Sequence, residues 1–168
     1  MVLSHTESRI KYLILLIIVF FSLLYGIISL VPHYNFRTNA FDLGIFNQTI
    51  HQYSELEFGP NTIREVPTLL ADHLEILLFV FAPFFWIFGS YTLLIIQILF
   101  VLAGGIGVFY VVKYEAKQSE KWLPILALVT FYSFFGIITA LGFDFHNNVI
   151  GAMMIPWLFF FFNTNRWR

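Results

Sequence analysis

Three uncharged apolar runs decide what this chain can fold into: Tyr12 to Val31, Tyr91 to Val112 and Trp122 to Phe143. They hold 20, 22 and 22 residues, and a hydrocarbon core about 30 Å thick takes about 20 helical residues. Backbone polar groups in lipid must be satisfied within the segment, which makes such runs helices. The chain therefore reads as an all-α integral membrane protein, one membrane domain over residues 1–168, with the lipid bilayer as its first partner. A net charge of −1 offers no basic surface for nucleic acid, and none is expected as a partner. With no cysteine, disulfides, thiolate catalysis and cysteine metal sites are excluded.

Arg9 and Lys11 precede the first run. Its length, and Val31-Pro32-His33-Tyr34 where a small-residue cleavage site would stand, make it an anchor rather than a signal peptide. Pro32 should end this helix, since proline lacks the donor N–H. A fourth apolar run, Val149 to Phe162, has only 14 residues. The expected spans are thus about 12–31, 91–112, 122–143 and 149–162. Between the first two lies the one long polar segment. Thr38 or Asn39 is placed to cap a helix over about 39–53. Phe41, Ile45, Phe46, Ile50 and Tyr53 would share its apolar face, with Asp42, Gln48, Thr49 and Gln52 opposite. Glu55 to Pro67 reads as loop. The apolar segment 73–88 covers about 24 Å at 1.5 Å per residue, short of the core. It reads as a second interfacial helix, the alternative being a span with the amino terminus outside.

With four spans and both termini cytoplasmic in the cell (plasma) membrane, Arg9, Lys11, Lys113, Lys117, Lys121, Arg166 and Arg168 lie inside. Only Arg37 and Arg64 then lie outside, the asymmetry of the positive-inside rule. Three polar clusters share the outer face: Asp42 with Asn47 and Gln48, Asp72 with His73, and Asp144 with His146. Carboxylates and imidazoles at a low-dielectric rim act as bases or hold a divalent cation. The metal-ligand candidates are Asp42, Asp72 and His146, and the ion expected of oxygen-rich donors is Mg²⁺ or Mn²⁺. Structural readings stand beside these. Asp42 sits where an acid closes a capping box on Asn39, Asp72 can cap the helix that follows, and Asp144-Phe145-His146 can be a polar turn between spans. Gln97 is placed for a helix–helix hydrogen bond, and Gly104, Gly105 and Gly107 for close helix approach.

The order of Phe41-Asp42-Leu43-Gly44-Ile45-Phe46-Asn47-Gln48, Asp72-His73, Ala82-Pro83, Leu93 to Gln97 and Phe143-Asp144-Phe145-His146 is similar to that in a family of uncharacterised predicted membrane proteins of bacteria and archaea. That family in turn resembles the GT-C-fold glycosyltransferases, which use polyprenyl-phosphate sugars at the outer membrane face. The resemblance implies a membrane glycosyltransferase, or its N-terminal part, because GT-C enzymes are much longer. Further helices or a partner subunit would then complete it. It implies catalytic roles for Asp42, as general base or metal ligand, and for Asp144, with His73, Asn47 and Gln48 at the donor. The alternative is a non-catalytic membrane protein, a helper subunit or transporter fragment.

Overall fold

The computed structural model describes residues 2–72, 75–117 and 119–164, with side chains from residue 8 onward. Among the described residues all regular elements are helices, joined by turns and one isolated bridge, Asn61 to Val66. Helix α1 runs over Val2–Tyr34, and a π turn, Ala40–Gly44, leads into α2, Ile45–Ser54. Then come α3, Ile76–Phe88, and α4, Thr92–Glu115, separated by a single turn at Gly89–Tyr91. Helices α5, Leu123–Tyr132, α6, Phe135–Gly142, and α7, Asn147–Thr164, complete the chain. Among the described residues, three stretches are long and apolar enough to cross a membrane: Ser8–Tyr34, Ile76–Glu115 and Leu123–Gly142. The protein is an all-α membrane protein, and α7 is the shorter, less apolar fourth helix of the bundle.

Several boundaries differ from those expected. Pro32 lies inside α1, which continues to Tyr34. A proline one turn from a helix end forfeits a single backbone bond, and the reversal waits for Phe36, whose φ is +56°. The polar residues before Tyr12 are helical as well, so α1 is about 50 Å long at 1.5 Å per residue and outreaches the hydrocarbon core. The 122–143 run breaks at Ser133-Phe134, where Phe134 is extended. The break is sealed from outside: Tyr25 Oη donates to the Tyr132 carbonyl at 2.8 Å, and Tyr132 Oη donates to the Leu102 carbonyl at 2.6 Å. The α2 face also differs. Phe41 is exposed, whereas Thr49 is buried, donating to the Ile45 carbonyl and accepting from Asn61 Nδ2.

Helix direction follows from which residues meet. On α4 and α7, Gly104 meets Met153, Gly107 meets Trp157 and Tyr110 meets Phe160, so these helices are parallel. Tyr132 reaches Leu102 while Gln97 reaches Ala140, so α5 and α6 run against α4. Tyr25 meets Tyr132 and Ile28 lies under Gly142, so α1 runs with α5 and α6. One end of the bundle therefore gathers the end of α1, the start of α4, the end of α6 and the start of α7. Helices α2 and α3 pair antiparallel over that end, through Asn47 with Ser90, His51 with Phe85 and Tyr53 with Phe79.

Candidate functional site

The site grows from one glutamine. Gln97, fully buried in the first turns of α4, donates through Nε2 to the Asp144 carbonyl at 2.8 Å and accepts the His146 N–H on Oε1 at 2.7 Å. This two-point grip fixes the turn between α6 and α7 and holds Asp144 at φ +68°, a left-handed conformation that aspartate tolerates. The grip buries Phe145 edge-on against Phe46, with ring centroids 5.3 Å apart. It also aims the Asp144 carboxylate, 5% exposed, at the residue that starts the π turn. Asp144 Oδ2 accepts the Asn39 backbone N–H at 2.7 Å and its Nδ2 at 3.3 Å.

That contact reverses the capping arrangement expected of the Asn39–Asp42 pair. The Asn39 side chain caps nothing locally. Its backbone N–H, which a capping-box acid at Asp42 would accept, goes instead to a carboxylate from the far side of the sequence. Asp42 is left with its carboxylate directed at His146, Oδ1 to Nε2 at 3.9 Å. Both side chains are partly open to solvent, 29% and 37% exposed.

Neighbouring side chains lock the frame. His33 Nδ1 lies 3.0 Å from Thr38 Oγ1 and its Nε2 lies 2.9 Å from Ser90 Oγ, which joins the end of α1 to the α3–α4 turn. Asn47 Nδ2 donates to the Ser90 carbonyl at 3.0 Å, tying α2 to the same turn. The Asn147 amide donates to Glu75, joining the starts of α7 and α3.

The expected site residues are thus divided. Asp42, Asp144 and His146 come together. Gln48 grips the loop beyond α2, accepting the Thr62 N–H at 3.1 Å and donating to the Pro60 carbonyl at 3.2 Å, and Asn47 is engaged at Ser90. Asp72 does not cap α3, which starts at Ile76. It pairs with Arg64 at 2.8 Å, and its hydrogen bond and charge hold that guanidinium above its ordinary range. His73 lies outside the described residues. Among the described residues no three His, Asp or Glu side chains converge as a metal cluster. Two structural residues escaped the sequence reading. Asn61, fully buried, donates to the Ile45 carbonyl at 2.9 Å and accepts the Arg64 N–H at 2.9 Å. Its place after Gly59-Pro60 signals the local turn, but nothing local signals the contact with α2. Glu75 is the other, and its partner is 72 residues away.

Residues 32–168 match the model of a family described as predicted membrane protein, DUF2079. No curated protein and no solved structure matches the chain.

Proposed function

We propose, for a chain that belongs to the DUF2079 family of predicted membrane proteins, that the Asp42 end of the bundle transfers a sugar from a polyprenyl-phosphate donor at the outer membrane face, as in GT-C enzymes. The observation that carries this reading is the Asp144–Asn39 contact. It takes over the capping role and leaves a carboxylate on a constrained turn beside a histidine. Charge supports the outer face. Lys113, Lys117 and Lys121 lie at the opposite end of the bundle, the cytoplasmic end by the positive-inside rule.

In this mechanism Asp42 accepts the proton of the acceptor hydroxyl as its oxygen attacks the anomeric carbon. The bond from that carbon to the phosphate oxygen breaks, its electron pair leaves with the polyprenyl phosphate, and the centre inverts. His146 orients the carboxylate and, when protonated, offsets charge on the departing phosphate. Asp144 acts by holding Asn39 and so the turn that carries Asp42. The pair also offers a carboxylate oxygen and an imidazole nitrogen, donors that would suit part of a site for Mg²⁺ or Mn²⁺ completed by substrate phosphates. Asp42 and His146 would hold the ion, which would supply positive charge at the donor phosphate.

The test is Asp42→Asn in the native protein, assayed for sugar transfer from lipid-linked donors in membranes. Loss of a general base should lower the rate by about 10²–10⁴-fold, and undiminished transfer would remove Asp42 from the mechanism. One observation favours the competing reading of a non-catalytic subunit. Neither of the two open grooves described below includes Asp42, Asp144 or His146. That reading requires that no lipid-linked sugar donor be consumed by the native protein.

A further inference from the structure

Two open grooves lie on the surface of the described residues, among others. One, about 450 Å³, lies between α4 and α5 and is lined by apolar side chains and Thr130, with no charged group to select an occupant. The other, about 460 Å³, lies between the end of α2 and the middle of α3 and has one charged lining residue, Glu55. We propose that this second groove binds a phospholipid with a primary-ammonium head, its chain in the groove and its head at Glu55.

The wall is rigid and apolar. Tyr53 stacks on Phe79 with centroids 3.9 Å apart and planes within 7°, and Phe58 packs against both rings. Pro83 and Trp86 form the outer lip and are exposed. Beside them on α3, Ile76, Val80, Phe84 and Ile87 recur at helical spacing, all exposed and apolar. Helix α3 carries no charge over Ile76–Phe88 and, at 13 residues or about 20 Å, is too short to cross the core. The groove therefore opens on a surface that water does not favour and lipid does, and its occupant comes from the lipid phase.

The charge at the mouth of the groove selects the head group. Glu55 follows directly on the last turn of α2, where the helix dipole is negative, and no lysine or arginine lines the groove to offset it. A carboxylate there favours a cation that donates hydrogen bonds, which a polyprenyl-phosphate sugar, an anionic phosphodiester with no ammonium, does not offer. The site is thus distinct from a sugar-donor site and stands whether or not Asp42 transfers sugar.

The experiment reconstitutes the full chain into bilayers that contain, at equal mole fraction, brominated phosphatidylethanolamine, phosphatidylcholine or phosphatidylglycerol. The Trp86 signal is the difference in fluorescence between the native protein and Trp86→Phe. Ethanolamine lipid should quench it at least twofold more than either other lipid. Glu55→Gln should remove that excess, and Pro83→Phe, which fills the groove, should lower quenching by all three. Native mass spectrometry reads the same preference without the tryptophan: ethanolamine-lipid adducts should survive in the native protein and fall at least threefold in Glu55→Gln. Equal quenching by all three lipids, with no adduct difference, means bulk contact only and overturns the site. Preference for the glycerol lipid overturns the charge argument and the proposal with it.

Discussion

Asp144 carries two separable burdens, and substitutions at this residue pull them apart. Its carboxylate accepts the two Asn39 donors, and its backbone sits at φ +68°. Asp144→Gly keeps the conformation without strain and leaves the Asn39 N–H without its charged acceptor, which should cost about 1–2 kcal/mol. Asp144→Ala adds the left-handed penalty of about 1–2 kcal/mol. Denaturant titration in mixed micelles should rank native, Gly, then Ala, while Asp42→Asn, at a partly exposed carboxylate outside the capping contact, should fall within about 0.5 kcal/mol of native. A large loss in Asp42→Asn would mark Asp42 as the structural acid and Asp144 as the free one. The two acids were visible in the sequence as members of polar clusters on one membrane face. Which of them caps Asn39 was not, because a capping box is a local pattern and the winning acceptor lies 105 residues away.

At the scale of elements, glycine against tyrosine sets how α4 and α5 meet. A Cβ on Gly105 would overlap the Tyr132 ring. That ring cannot easily retreat, since its hydroxyl is bound to Leu102 and its ring packs against Phe21 and Tyr25. Gly105→Ala should therefore destabilise by about 1–3 kcal/mol through overpacking. Gly151, with open space where a Cβ would go, should tolerate alanine and gain up to about 1 kcal/mol of helix propensity. Thermal unfolding in detergent compares the two; equal melting temperatures would show that α4 and α5 do not pack as described. The close approach at Gly104, Gly105 and Gly107 was legible because small residues inside an apolar run have few other uses there. The break at Ser133-Phe134 was not. No proline or charge marks it, and it is sustained by a tyrosine on α1 that no reading of the 122–143 run alone would connect to it. Helix α3 starts at Ile76, three residues later than expected, and Asp72 pairs with Arg64.

The whole molecule is ordered by direction: α1, α5 and α6 run one way, and α4 and α7 the other. The bundle therefore has a polar end that collects Asp42, Asp144, His146 and the α2–α3 pair, and an opposite end that carries Lys113, Lys117 and Lys121. Orientation in the membrane then fixes where any reaction at Asp42 takes place. The absence of cysteine makes this testable with single cysteines. Leu56, 86% exposed beyond α2, and Lys121, exposed between α4 and α5, are surface positions at opposite ends. Asn61 would report poorly, being fully buried under α2. With the polar end outside, Leu56→Cys should react with a membrane-impermeant maleimide in intact cells, and Lys121→Cys only after permeabilisation. Labelling of both from one side would contradict the helix directions. Labelling of Lys121→Cys alone in intact cells would turn the bundle over, placing Asp42 in the cytoplasm, where a polyprenyl-linked donor at the outer face cannot reach it.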